Sequence, residues 1–358
     1  MSLGISTRRE LVEEVVEGVS AALGPKPSSG ADVFAVTGSA GMGKTHLLTD
    51  VARRLRAELD ATVRLTTAEE LTTWHPGSVL AQLVAQAQPP ADAAGQLTAA
   101  LAALEEMSAR GPHVLLLDDA QLADGDSLAA LHRLSLELPR LPIALVIAWR
   151  QVPARTALAM LASAVNAREV RLQPLSEDEA AGLTRVCIGA ASGPNLRGAV
   201  AATGGNPGLL TRLLNQVGDD GFRRDPVDGA LDTSQSADEL TRALARTAVG
   251  HIAVLDPQIR QLAELIATWA RPVDIADLAR ARRQHPGELV PAIDAAVGTG
   301  ILGWQGDALW FTADVYATAV RAQLSGPMLR LISDSVASAR GAVAPVLDGR
   351  REQSNDPA

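Results

Sequence analysis

Apolar and polar positions alternate with two periods along the chain. Leu11, Val12, Val15, Val16, Val19 and Leu23 fall at helical spacing, so residues 8–23 predict a helix that stops at Gly24 and Pro25. Lys26–Gly30 reads as a loop, and Val33–Thr37 is a short β-branched run that predicts a strand. A helix is expected over 45–59. Further strands are expected at 62–66, 113–118, 143–149 and 169–172, with helical stretches between most of them. Strands that alternate with helices predict a parallel sheet covered on both faces, an α/β unit over 1–175.

After Pro174 the strand signal stops. Helices are expected over 176–216, opened by a capping box of Ser176 and Glu179. The polar, Asp- and Gly-rich stretch 217–238 reads as a linker. Residues 239–325 predict helices near 240–250, 257–269, 274–280 and 286–298, then short strands at 301–304 and 308–311, the order of a winged-helix domain. A further helix and a polar tail fill 326–358. The best apolar run, Ile143–Trp149, is far below the roughly 20 residues that cross a bilayer, so no membrane contact is expected.

Composition narrows the classes. With 358 residues, 47% hydrophobic and 20% charged, the chain is globular and long enough for more than one folding unit. A net charge of −9 argues against a protein that coats nucleic acid. The single Cys187 excludes an internal disulfide and a thiolate metal cage, and fits a reducing cytoplasm. It is expected to pack structurally among apolar neighbours of a lid helix. Lys26 and Lys44 are the only lysines among 32 basic residues, so a lysine retained at 44 asks for a chemical reason.

Residues 38–45, Gly38-Ser39-Ala40-Gly41-Met42-Gly43-Lys44-Thr45, have the spacing G-x-x-x-x-G-K-[ST] between a predicted strand and a predicted helix. Glycines there let backbone N–H groups converge on phosphates at a helix N-terminus. Lys44 can reach β- and γ-phosphates, Thr45 can offer a hydroxyl to Mg²⁺, and His46 follows in the same turn. The alternative is a chance glycine-rich turn. His113–Asp118 is an apolar strand that ends in the pair Asp118 and Asp119. At the carboxyl end of a parallel strand, Asp118 can hold Mg²⁺ and Asp119 can act as base toward the attacking water; alternatively Asp119 or Asp124 caps the next helix. Arg150 ends another strand and either stabilises transition-state charge or is a surface residue.

In this order the residues resemble the ATPase core of the large ATP-binding regulators of the LuxR type, in the STAND branch of the AAA+-related P-loop NTPases. The resemblance covers approximately 8–325 and rests on Arg9-Glu10, GSAGMGKT, LLLDDAQLAD, Arg150, QPLSEDEA at 173–180 and GGNPGLL at 204–210. It implies a nucleotide-binding domain, a helical lid and a winged helix, with ATP or ADP and Mg²⁺ as ligands. It also implies Arg9 near the adenine or ribose and Pro207 against the base. Three departures stand out. Leu122 replaces the family's Trp, Ala313 of Phe311-Thr-Ala-Asp314 replaces a His that would reach the ADP β-phosphate, and the chain stops at Ala358 where such regulators continue into a sensor array and a helix-turn-helix.

The expectation is therefore an ATP-binding switch with slow hydrolysis that controls self-association or a protein partner. A winged-helix DNA-binding regulator and a non-hydrolysing ATP-bound scaffold remain as alternatives. Arg280, Arg282, Arg283 and His285 form a small basic cluster, but 245–325 is close to neutral, so DNA contact is not favoured. Trp269, Trp304 and Trp310 are expected in the core, and 91–109 as a covering helix. The six His show no paired ligand spacing, so no zinc is expected.

Overall fold

A computed structural model describes residues 6–24, 33–85, 92–151, 156–164, 166–227, 229–253 and 255–341. The loop expected at 26–30 and the tail beyond 341 lie outside the described residues. The first part runs α1 (Ser6–Ala22), β1 (Val33–Thr37), α2 (Lys44–Glu58), β2 (Thr62–Thr67), α3 (Ser78–Leu83), α4 (Ala93–Ala109), β3 (His113–Asp118), α5 (Gly125–Ser135), β4 (Ile143–Trp149), α6 (Thr156–Ala164) and β5 (Arg168–Arg171). The five strands form one parallel sheet in the order β2-β3-β4-β1-β5. The strand after Thr62 runs to Thr67. The last strand begins at Arg168, one residue earlier than its apolar run suggests, and Leu172 still donates to the carbonyl of Thr37 at 2.8 Å.

The two-residue period of a strand explains why both faces are apolar. Phe34, Val36, Val114, Leu116, Ala144 and Val146 pack toward α1 and α2, while Ala35, Leu115, Leu117, Leu145 and Ile147 pack toward α3–α6. Because all strands are parallel, their carboxyl ends share one edge. There β1 turns into the glycine loop, β3 delivers Asp118, and β4 delivers Arg150.

The chain continues through α7 (Glu177–Ile188), α8 (Pro194–Ala201), α9 (Pro207–Asp220), a two-stranded ladder of β6 (Arg223–Arg224) and β7 (Leu231–Asp232), α10 (Ala237–Ala253) and α11 (Pro257–Trp269). β8 (Val273–Asp274), α12 (Ile275–Arg282), α13 (Pro286–Thr299), β9 (Leu302–Gln305), β10 (Ala308–Phe311), α14 (Asp314–Gln323) and α15 (Gly326–Gly341) follow. The capping box at Ser176 and Glu179 is formed as expected. The sequence reading misses β8, which pairs with β10 to make a three-stranded antiparallel sheet in the order β8-β10-β9.

The polar stretch read as a linker is folded. Its first residues complete α9, and Asp232 accepts from the backbone N–H groups of Asn195 and Leu196, capping α8 from a distance. Helices α7–α15 bury one continuous apolar cluster, from Leu175 to Val336, rather than two separate cores.

Among the tryptophans, Trp269 is buried and Trp310 packs edge-on against Phe311 with ring centroids 5.5 Å apart. Trp304 does not join them. It sits on the edge strand β9 and stays 46% exposed, because no further strand covers its outer side. Within the basic cluster, Arg280 pairs with Asp277, and His285 accepts from Gly287 N–H to cap α13.

Asp124 settles one alternative from the sequence. It caps α5 through Ser127 N–H at 2.8 Å, accepts the Ser127 hydroxyl at 2.6 Å, and also holds Gly77 N–H at 2.8 Å. A fully buried carboxylate with three donors is a strong staple. Asp124→Ala is therefore expected to lower unfolding stability by about 2–3 kcal/mol in urea titrations, since three buried donors lose their acceptor. An unchanged midpoint would contradict this assignment.

Candidate functional site

The loop from β1 to α2 is shaped by its glycines. Gly41 and Gly43 adopt φ of 78° and 87°, a region that costs little only for glycine, and Gly43 serves as the N-cap of α2 with no side-chain acceptor of its own. The first N–H groups of α2 thus face outward from the loop, where the helix dipole favours an anion. Lys44 is buried and folds back over the loop, with Nζ donating to the carbonyls of Gly38 at 2.8 Å and Ser39 at 2.9 Å. Burial, together with the nearby Arg150, holds the Lys44 ammonium down at about 8, while Asp119 and Asp118 act in the opposite direction.

Asp118 is buried at the end of β3 and accepts Asp119 N–H at 2.8 Å. Burial pushes its carboxyl above the usual range, and a hydrogen bond with the Thr45 side chain counters that. The structure therefore brings Thr45 and Asp118 together as a hydroxyl and a carboxylate. Hard oxygen donors of this kind suit Mg²⁺, which takes few protein ligands and keeps water or phosphate oxygens in the remaining positions. Among the described residues no group of three or more His, Cys, Asp and Glu could form a cage for another metal.

Asp119 stands in a left-handed conformation with φ of 48°, which turns its carboxylate toward the cavity. Its Oδ1 accepts Gln121 Nε2 at 2.7 Å and lies 3.8 Å from Arg150 Nη2. Gln121 is buried, and its Oε1 accepts the backbone N–H of Arg150 at 2.9 Å. One amide thus ties the ends of β3 and β4 together and sets the spacing of Asp119 and Arg150. Sequence reasoning did not single out Gln121, because its role depends on two strands that meet only in the fold.

Asp119 and Arg150 open on a cavity of about 560 Å³, which Asp118 and Gln121 do not line directly. Gly41–Thr45, His46, Asp119 and Arg150 line its polar end. Arg8, Leu175, Leu183, Val186, Cys187, Pro207 and Thr211 line the other end, which is largely apolar. Pro207 reaches the cavity as expected. Arg9 does not: its side chain is 74% exposed and pairs with Glu13. Arg8 occupies the interior position instead, because it is in helical phase with the buried Val12, Val15 and Val19. Its Nη2 donates to the Gln173 carbonyl at 2.6 Å, whereas Nη1 is buried without a partner. Burial lowers its pKa, with Glu179 opposing. Cys187, expected among apolar neighbours, is exposed at the cavity rim.

Gly38, Ser39 and Ala40 do not line the cavity, and the loop is held from behind by the helices that follow. Asn206 donates to the Ala40 carbonyl at 3.0 Å, caps α9 through Gly208 and Leu209 N–H, and reaches the Tyr316 hydroxyl at 3.5 Å. Gly208 N–H donates to the Gly41 carbonyl at 2.9 Å, and a Cβ on Gly208 would stand 2.9 Å from the Gly41 Cα. Ser39 meets Gly300, where a Cβ would come within 2.1 Å of its hydroxyl. Met42 anchors the loop in the core beneath it.

The fold has counterparts among known proteins. The AAA domain family matches residues 28–152. The fold is similar to that of the Walker-type ATPase of Pyrococcus abyssi, with TM-score 0.60 and 14% identity over 88% of this chain and 95% of that one. It is also similar to the Aeropyrum pernix Orc1 protein solved in complex with DNA, with TM-score 0.50 and 16% identity over 91% and 94%. A STAND protein with a tetratricopeptide repeat sensor from Pyrococcus horikoshii overlays at 0.34 with 14% identity, over 92% of this chain and 45% of that one, a score too low to carry an argument. No curated protein matches. The chain thus has the α/β P-loop NTPase fold, and its residues 28–152 are similar to the AAA domain family. Among the described residues no helix is long and apolar enough to cross a membrane.

The Lys44 environment yields a pH prediction. Its pKa falls from 10.5 to about 8 on folding, so between those values the unfolded chain binds more protons and stability rises with pH. Relative to Lys44→Met, the wild type is expected to gain up to about 3 kcal/mol in urea unfolding between pH 7.5 and 10.5. Parallel curves for the two proteins would show that the ammonium is not desolvated as described.

Proposed function

We propose that the chain is a nucleotide-dependent switch that binds Mg·ATP in the 560 Å³ cavity and hydrolyses it slowly. The observation that carries this reading is the direct seating of α9 on the phosphate loop, through Gly208 N–H to the Gly41 carbonyl and Asn206 to the Ala40 carbonyl. A group bound to the loop N–H groups cannot change their geometry without altering the backbone that holds the lid.

In this reading the phosphates lie against the amides of Gly41–Thr45, with the Lys44 ammonium swinging from the loop carbonyls onto them. Thr45 and Asp118 hold Mg²⁺, which when bound neutralises phosphate charge. Asp119 orients and deprotonates the attacking water. Gln121 occupies its Oδ1, which leaves Oδ2 to accept the proton. Arg150, 44% exposed at the cavity edge, is placed to offset charge on the leaving or transferred phosphoryl group. The base packs among Leu175, Leu183, Val186 and Pro207, with the unpartnered Arg8 Nη1 as donor to a ring acceptor. Arg8 thereby takes the place that the family resemblance gives to Arg9.

Helices α10–α14 with the β8-β10-β9 sheet supply a winged-helix unit that rests on the loop through Gly300 and Ser39 and through Tyr316 and Asn206. Nucleotide state would then bias lid and winged helix together, and so self-association or partner binding, as in regulators of the STAND type. A cytoplasmic setting and a place in transcriptional or pathway regulation agree with this reading. DNA contact through the winged helix is not favoured, because Arg280 is held by Asp277.

Calorimetric titration of Mg·ATP is expected to show binding to the wild type and a loss of at least tenfold in affinity for Lys44→Ala; equal affinities would sink the proposal. In single-turnover assays, Asp119→Asn is expected to slow phosphate release by roughly 10²–10⁴-fold with binding preserved. No change in rate would leave ATP a structural ligand only.

A further inference from the structure

The loop after β2 carries an apolar protrusion that the nucleotide site does not use. Leu71 and Trp74, on the short 3-10 turn Glu70–Trp74, are 73% and 81% exposed. No other Phe, Tyr or Trp ring among the described residues is as exposed as this indole. The turn itself is firmly placed. Ala68 N–H donates to the Asp118 carbonyl at 3.0 Å, the Thr73 hydroxyl donates to the Leu122 carbonyl at 2.6 Å, and Gly77 N–H donates to Asp124 at 2.8 Å. The protrusion therefore rides on the same segment, 118–124, that carries Asp118 and Asp119. Glu69 and Glu70 stand exposed beside it.

A concave surface of matching character lies on the other half of the chain. Between α11, α12 and α15 runs a groove of about 280 Å³, lined by Glu264, Leu265, Ala281, Arg282, Leu331 and Ile332. Leu331 is 69% exposed there, so the groove presents an apolar stretch of Leu265, Ala281, Leu331 and Ile332 between the polar Gln261, Glu264 and Arg282. Arg282 stands on the α12 wall, followed by the exposed Arg283, while Glu264 stands on the α11 wall. Trp74 of the same copy, 81% exposed, does not occupy this groove.

We infer that the Leu71–Trp74 protrusion of one copy seats in the α11–α12–α15 groove of a second copy. Shape and charge agree: a knob flanked by two carboxylates faces an apolar groove with arginine on one wall. Glu264 fixes the orientation, since Glu70 must lie on the α12 side to meet Arg282 and avoid a like charge. Knob and groove are different surfaces, so the contact is head to tail and leads to a ring if the rotation closes or to a filament if it does not. This goes beyond the nucleotide reading and stands or falls without it. It also attaches the contact to the segment that bears the two aspartates.

The test mixes two full-length variants at the edges of the contact, Glu69→Cys beside the knob and Gln261→Cys on the groove rim, each also carrying Cys187→Ser, and adds a short bismaleimide with and without Mg·ATP. Both sites are exposed, so neither change threatens folding. Covalent dimers in the mixture, but in neither variant alone, are the expected result. No dimer in the mixture under either condition, or dimers from Glu69→Cys alone, would overturn the inference. In sedimentation experiments Arg282→Glu is expected to weaken self-association roughly tenfold or more, and Glu70→Arg to restore it in the double variant. Association that ignores both changes would likewise overturn it.

Discussion

The structure depends on how closely the lid backbone approaches the phosphate loop. Gly208 donates to Gly41, a Cβ on Gly208 would press against the Gly41 Cα, and a Cβ on Gly41 would meet the Asn206 side chain, so neither residue has room for a side chain. Asn206 adds the specific part. It ends one turn, starts α9 and grips the Ala40 carbonyl with the same side chain. Because α9 lies in the apolar cluster shared by α7–α15, the proposed switch has a packed route from Asn206 to the helices behind it. Tight packing transmits such a displacement rather than absorbing it.

The opposite wall of the cavity is organised by buried polar groups. Gln121 bridges two strand ends, and Asp124 secures the following helix and the loop at Gly77. Each sits in a low-dielectric setting where an unmade hydrogen bond is costly, so these side chains keep one arrangement. That rigidity gives Asp119 and Arg150 defined positions at the cavity edge. In the proposed switch the freedom to respond lies with Lys44, whose ammonium bonds the carbonyls of Gly38 and Ser39.

Much of this was legible in the chain. The buried strands announce themselves as apolar runs, and β1, β3 and β4 have the bounds read from sequence, because a strand covered on both faces tolerates little else. The phosphate loop is legible because its geometry demands glycine at fixed spacing. Arg8 was legible too, through its phase with Val12 and Val15, but the motif drew attention to Arg9. The polar stretch after α9 misled, since composition reports solvent contact and not whether Asp232 finds a distant helix to cap. Gln121 and the core shared by α7–α15 depend on contacts far apart in sequence, which no local pattern encodes. Cys187 and Trp304 went astray for a related reason: a residue type that favours the interior still lies outside when its element is at a rim or an edge.

Hydrogen–deuterium exchange on the full chain, with and without Mg·ATP, tests the coupling at its source. The account predicts altered protection in three places at once: the loop at 38–45, the lid turn at 204–210, and residues 299–303 against Ser39. Protection confined to the loop, with the lid and residues 299–303 unchanged, would contradict it.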